Sequence, residues 1–437
     1  MRTWPTLAML LGALLVAVLL APGAAAALAR HTQRVSVSSA GAQGDANSSQ
    51  YAPAVSANGR YVAFDSSAST LVAGDTNAVS DIFVRDRKLH TTVRVSVGPG
   101  GVQANGESYA PSISPNGRYV AFSSYASNLV PGDTNGQPDV FVRDRKLHKT
   151  ILVSVSSAGV QGDGGSFGPS ISANGRYVAF WSDATNLVSS DTNGQPDVFV
   201  RDRKLHKTYR VSVSSAGAQG DNVSFEPSIS ANGRYVAFQS YATDLVSGDT
   251  NNDADIFVRD RTLHRTVRAS VGPAGAQSDA DSYTPAISGN GRFVAFSSDA
   301  DDLVKGDTND SRDVFVRDLK AHKTSPVSVT SGGVQGNADS QNVSISATGR
   351  YVAFQSAATD LVSGDVNGYI DIFWRDRTLH RTVRVSVSSA GVQGNGDSTL
   401  PTVSADGRVV AFASFASNLV PGDTNGFTDI FARWPLH

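Results

Sequence analysis

The chain has no cysteine among its 437 residues. Disulfides and a lipid-modified amino-terminal cysteine are therefore excluded, and stability outside the cell has to come from packing, ring closure or bound ions. Methionine (2) and tryptophan (4) are scarce. Net charge is only −2, which excludes nucleic-acid binding by bulk electrostatics. No long apolar run follows the first thirty residues, so no membrane-spanning helix is expected beyond them.

Those first thirty residues are a different kind of sequence. Arg2 precedes an apolar run from Leu7 to Leu20, and Ala27-Leu28-Ala29 fits the small-x-small pattern that signal peptidase accepts. Residues 1–29 are read as a cleaved secretory signal and 30–437 as the mature chain, secreted or periplasmic.

The rest is periodic. Gly59-Arg60-Tyr61-Val62-Ala63-Phe64 returns with its glycine at 117, 175, 233, 291, 349 and 407, a constant step of 58. In the unit around Gly117, four strands are expected: Tyr109 to Ser114, Arg118 to Ser123, Asp139 to Arg145 and Thr150 to Ser156. Asn116-Gly117 supplies a tight turn, and the second strand carries apolar groups on both faces, as a sheet covered on both sides requires. Four antiparallel strands per repeat predict the blade of a β-propeller. The ends of the chain are complementary. Asp429 to Arg433 matches a third strand with no fourth after it, and Arg34-Val35-Ser36-Val37 repeats the fourth-strand sequence Arg384-Val385-Ser386-Val387. The expected fold is all-β: a seven-bladed propeller whose amino-terminal strand closes the last blade. A solenoid would instead need atypical capping repeats.

Strand alternation puts both long loops on one rim. The opposite rim has short turns flanked by Arg60, Arg87 and Lys88 and is expected to be basic. Binding residues concentrate on loops held by a rigid scaffold, so the long-loop rim is the candidate binding face.

The sharpest constellation on that rim is Asp-x-Asn-x-x-x-Asp. It occurs as Asp75/Asn77/Asp81, Asp133/Asn135/Asp139, Asp191/Asn193/Asp197, Asp249/Asn251/Asp255, Asp307/Asn309/Asp313, Asp365/Asn367/Asp371 and Asp423/Asn425/Asp429. Calcium takes six to eight oxygens from a tightly curved loop, and two residues at alternate positions plus an Asp at the strand start could converge on one Ca2+ ion. Three side chains per loop leave ligands to be found elsewhere. An Asx-turn, in which Asp and Asn cap their own backbone amides, explains the same residues without metal. Both readings stand at this level.

The eight histidines are turn residues. Six lie one repeat apart, from His90 to His380, and His31 and His437 flank the closure seam. Arg85-Asp86 and its recurrences are read as surface or blade-edge pairs. A catalytic site usually needs singular residues, and few occur here: Trp181, Trp374, Glu226, Gln341 and Val343 depart from their counterparts and are read as local packing.

Pro53-Ala54-Val55-Ser56 followed by Asn58-Gly59-Arg60-Tyr61-Val62-Ala63-Phe64, with Pro111 to Gly117 as the closest copy, resembles the repeat of TolB-like (WD40-like) propellers. Asp81-Ile82-Phe83-Val84-Arg85-Asp86 resembles the strand that follows it. The resemblance covers residues 32–437 and implies an exported interaction platform, without the additional amino-terminal domain of TolB or the peptidase domain carried by some relatives. A monomeric, non-enzymatic protein- or glycan-binding module is the expected function. A polysaccharide hydrolase or lyase acting on the long-loop face is the alternative.

Overall fold

In the computed structural model, Met1, residues 30–434 and Leu436 are described. The expected signal segment, apart from Met1, and His437 lie outside the described residues. Among those described, no helix is long and apolar enough to cross a membrane.

Seven four-stranded antiparallel sheets follow one another around a ring. In blade 2 the strands are Ser108–Ile113, Tyr119–Ser124, Asp139–Asp144 and Lys149–Leu152, running from the axis outward. The outermost strand is shorter than the sequence suggests. Val153 still donates to Val140 O, but the amide of Val155 folds back onto Val153 O (2.8 Å), which ends the ladder. The innermost strand bulges between Tyr109 and Ser112, where Ala110 takes a positive φ of 51°.

No blade buries both of its faces alone. Ala121, Val140 and Val142 of blade 2 pack against Val178, Phe180 and Phe199 of blade 3, and clusters of the same kind fill the other seams. The repeated glycine belongs to this packing. Gly117 has φ +71°, and a Cβ there would stand 2.2 Å from the Tyr61 ring of the preceding blade. The same Tyr61 ring carries the Arg145 guanidinium of blade 2 at 4.8 Å. Each GRYVAF tyrosine is thus an anchor reaching one blade forward along the ring.

The chain closes as its ends suggest. Strand His31–Arg34 pairs with Asp429–Trp434, with His31 opposite Trp434 and Arg34 opposite Phe431. Val35 is fully buried with Ile430, Ala432, Val62 and Phe64 in the seam between blades 7 and 1.

Arg85 and Asp86 are not surface groups. They are 3% and 5% exposed, because the third strand carries them into the sheet interior. Arg85 donates to Ser38 O of blade 7's trailing segment (3.0 Å) and to Thr92 Oγ1 (3.0 Å). Asp86 pairs with Arg60 instead (2.6 Å). Arg87 is half-buried, and desolvation lowers its pKa to about 10. The short-turn rim is therefore less basic than its sequence implies.

Deleting residues 31–37 should cost about 5 kcal/mol or more, from the loss of the Val35 core contact and the stranding of Asp423 and Asp429. Urea unfolding monitored by circular dichroism measures this. A loss below about 1 kcal/mol would show that the closing strand is dispensable.

Candidate functional site

The Asp and Asn side chains of the loops are held in hydrogen-bonded and ion-paired clusters. In blade 1, Asp81 opens the third strand and is fully buried. One of its oxygens accepts from the Ser96 hydroxyl in a very short bond, and the same hydroxyl oxygen accepts from the Ile82 amide (3.0 Å). Asn77 donates to the other Asp81 oxygen (2.9 Å) and to Ala104 O (2.9 Å). Its own Oδ1 accepts from the Val79 amide (3.4 Å), so the asparagine does form an Asx-turn. Asp75 does not. It pairs with Arg94, whose guanidinium stands 2.9 Å from Asp75 and 3.2 Å from Asp81.

The other asparagines repeat this arrangement, the metal-free Asx-turn with its side-chain nitrogen directed away from the turn. The side-chain nitrogen of each reaches across to a carbonyl of the segment leading to the next blade. Asn135 donates to Gly162 O, Asn193 to Gly220 O and Asn251 to Ser278 O (2.8–3.0 Å). Asn309 donates to Gly336 O, Asn367 to Gly394 O and Asn425 to Gly44 O (2.8–3.0 Å). Asn135, Asn309, Asn367 and Asn425 also donate to Asp139, Asp313, Asp371 and Asp429 (3.0–3.1 Å). Every one of the six side-chain oxygens accepts the backbone amide two residues on, at 3.0–3.4 Å. The physical reason is that a buried carboxylate needs donors, so the amide turns its N–H toward the Asp and spends its oxygen on its own turn.

An arginine on the outermost strand sits where a cation between the two carboxylates would sit. Arg210 bridges Asp191 and Asp197, and Arg268 bridges Asp249 and Asp255. Arg384 does the same for Asp365 and Asp371, and Arg34 for Asp423 and Asp429. Sequence reasoning missed these arginines, although their recurrence at the head of the Arg-x-Ser-Val strand was a usable signal. Blades 2 and 5 carry Leu152 and Pro326 instead. There Gln161 donates to Asp133 and Asp139 (2.7 Å each), and Gln335 donates to Asp313 (2.6 Å) and, in a very short bond, to Asp307. Burial pushes Asp139 and Asp307 up to about 6. Among the described residues, no cluster of three or more His, Cys, Asp or Glu side chains forms a metal centre.

The axial channel is the second candidate. Its walls are the innermost strands. Around the axis, Ser112, Ser170 and Ser228 accept from the amides of Ile171, Ile229 and Ile287 in the next blades (3.0–3.1 Å). Toward the short-turn rim the strands draw together, with Ala57 N on Pro115 O (3.0 Å) and Ala173 N on Ala231 O (2.9 Å). An added Cβ on Gly289 would come within 3.1 Å of Ala347 Cβ, so this end is pinched.

The other end carries an aromatic arc. The residue before the bulge is Tyr109, Phe167, Phe225 and Tyr283 in blades 2 to 5, then Gln341 and Thr399, and Tyr51 is its counterpart in blade 1, whose innermost strand is only Ala54–Val55. Tyr51 stacks on Tyr109 across the blade boundary, with ring centroids 5.0 Å apart. Trp181 stacks on Phe167 at 4.3 Å, and Tyr241 lies 6.3 Å from Phe225. Tyr51 and Tyr125 remain 40% and 54% exposed. Trp181 therefore belongs to this mouth. Trp374 is packing, as expected: it is fully buried and donates to Gly407 O of blade 7 (3.1 Å).

Two singular carboxyls lie beside the arc. Asp65 replaces the Ser123, Trp181 and Gln239 counterparts. Burial raises its pKa to about 6, against the opposing pull of the Gln50 and Tyr51 amides, which donate to it at 2.7 and 3.3 Å. Glu226 is the bulge residue of blade 4, with φ +51°. It opens to solvent but is walled by protein elsewhere, and this desolvation raises its pKa. Seven-fold geometry sets blades 1 and 4 on nearly opposite sides of the axis. One further motif is inert. Gly164-Gly165-Ser166-Phe167-Gly168 spells Gly-x-Ser-x-Gly, but Ser166 is fully buried and bonded to Ser182 at 2.9 Å, not raised on a strand-to-helix elbow.

No family model matches the chain, and no curated protein is detectably similar in sequence. Solved propellers are similar in structure. An oligogalacturonate lyase in complex with manganese superposes with a TM-score of 0.56 at 10% identity, over 92% of this chain and 93% of the lyase. The propeller domain of the trilobed protease from Pyrococcus furiosus gives 0.50 at 10% identity, over 84% and 89%. TolB from Acinetobacter baumannii gives 0.41 at 14% identity, over 70% of this chain and 59% of TolB. At these identities the likeness is one of fold.

Replacing Arg94 with leucine should leave Asp75 and Asp81 without a cation and cost about 3 kcal/mol at pH 7.5. Burial already raises both carboxyls. The folded variant then holds their protons more tightly than the unfolded chain, so the deficit is present at neutral pH and shrinks as pH is lowered through their raised pKa range into acid. Denaturant titrations at neutral and acid pH measure the difference. An equal deficit at both would contradict the electrostatic account.

Proposed function

We propose that the protein is an exported glycan-binding propeller that takes a polysaccharide chain across the long-loop mouth of its axial channel. The aromatic arc carries this reading. Sugar rings present apolar C–H faces that pack on aromatic rings and polar edges that need hydrogen bonds. The mouth offers both, in Tyr51, Trp181 and Tyr241 beside Asp65, Asp183 and Asp299. Exposed aromatic patches of this kind mark interaction sites.

A second reading, a polysaccharide hydrolase or lyase, is favoured by Asp65 and Glu226. They are unmatched in the other blades, and burial, which holds Asp65 near 6 and raises Glu226, suits a carboxyl to proton transfer at neutral pH. The structurally similar lyase has a polysaccharide-derived substrate, which is compatible with either reading.

A glycan array followed by calorimetry separates them. Wild type should bind an acidic or neutral plant or bacterial polysaccharide, and Y51A/W181A should bind at least about tenfold more weakly at unchanged melting temperature, each stacked ring contributing about 1 kcal/mol. Chain shortening of the bound glycan that D65N and E226Q abolish establishes the enzyme. Absence of glycan binding across the array rejects both.

Calcium belongs in the same proposal, confined to blades 2 and 5. Their carboxylate pairs, Asp133 with Asp139 and Asp307 with Asp313, lack the arginine. Gln161 or Gln335 with its amide turned would offer a further oxygen, while Asn135 and Asn309 stay in their turns. Two carboxylates and an amide oxygen suit a hard cation. Millimolar calcium should raise the melting temperature, chelator should reverse the rise, and L152R with P326R should remove it. A response that survives both substitutions would place the ion elsewhere.

A further inference from the structure

The seam between blades 4 and 5 departs from the other seams at several points. In five others an arginine from the following blade lies over the aromatic ring of the preceding one. Arg145 covers Tyr61, Arg203 covers Tyr119, Arg261 covers Tyr177, Arg377 covers Phe293 and Arg87 covers Trp434, at 3.8–5.1 Å. The same arginines donate to a turn carbonyl, as Arg261 does to Gly233 O (2.6 Å). Blade 5 has Leu319 at this position, so Tyr235 has no such cover.

Neighbouring contacts differ as well. Ser157 and Ser215 accept the amides of Thr208 and Thr266 (3.0 Å each), a bond that Pro273 of blade 4, like Pro99 of blade 1, cannot make for want of a hydroxyl. Arg201, Arg259 and Arg375 each donate to a carbonyl of the preceding blade (2.8–3.0 Å). Arg317, 6% exposed, instead donates to Thr324 of its own blade (3.1 Å). Leu89, Leu147, Leu205, Leu263 and Leu379 become Ala321.

The result is a cleft of about 710 Å³, within the size range of small-molecule sites. One wall is apolar, formed by Tyr235, Val258, Val267 and Leu319. The other is cationic. Arg234 and Arg292 are already held by Asp260 and Asp318 (2.6 Å each). Arg265, Arg317, Lys320 and His322 line the cleft with no ion-pair partner among the described residues. Arg317 is a buried guanidinium whose usual carbonyl acceptor is absent, and a buried cation needs an acceptor.

We propose that this cleft binds a small amphipathic anion, an apolar body bearing one carboxylate or phosphate head, with the body on Tyr235 and Leu319 and the head between Arg317, Lys320 and Arg265. The site lies on the outer side of the ring and is independent of the axial mouth.

Isothermal titration of the mature chain with octanoate, octyl phosphate and octanol tests this. One equivalent of either anion should bind, octanol at least about tenfold more weakly, and added salt should weaken the anions. The preferred anion identifies the head group. L319R should restore the covering arginine, lower anion binding at least about tenfold and leave the fold intact. R265E/K320E should lower anion binding by a similar factor. Octanol binding as well as the anions, or unchanged anion affinity in L319R and in R265E/K320E, would overturn the proposal.

Discussion

The structure depends on one contact repeated around a circle, a side chain from one blade lying beneath the glycine of the next, aromatic at six seams and Val409 under Gly59 at the closing one. Tyr61 under Gly117 and Tyr119 under Gly175 are two instances. A four-stranded sheet with apolar groups on both faces is insoluble alone, and only a neighbour on each side satisfies it. The closing strand follows from this. A ring of incomplete sheets would end in one exposed face and one unpaired edge, and His31–Arg34 removes both.

Much of this was legible in the residues. A constant repeat fixes the number of blades, apolar groups on both faces of Tyr119–Ser124 imply neighbours, and a fourth-strand sequence at the wrong end of the chain implies closure. What was not legible involves partners far apart in sequence. Asp75 and Asp81 look like metal ligands when read locally, and the cation beside them, Arg94, arrives from another strand. Asn77 and Asn135 look like oxygen donors for the same reason, because the carbonyls that take their N–H groups, Ala104 and Gly162, lie 27 residues on. Arg85-Asp86 reads as an exposed pair because nothing local reports that this face of the third strand is covered by the preceding blade.

The mouth was hidden for a related reason. Tyr51, Tyr109, Phe167, Phe225 and Tyr283 are spaced through the chain and look like ordinary blade residues. Only the ring brings them to one rim. Symmetry supplies the scaffold, and departures from symmetry supply chemical individuality. Asp65 and Glu226 distinguish the axis, Leu152 and Pro326 leave two carboxylate pairs open, and Leu319 opens one seam.

Ring closure is tested most directly by circular permutation. Residues 435–437 and Arg30 would form a four-residue connection between Trp434 and His31, the same length as Arg87 to His90 between Asp86 and Thr91. A permutant joining His437 to Arg30 and opened between Gly41 and Ala42 keeps every strand but makes the last blade continuous. Thermal unfolding should show one cooperative transition at or above the wild-type temperature. A permutant that melts far below wild type, or in separate steps, would contradict the closed ring.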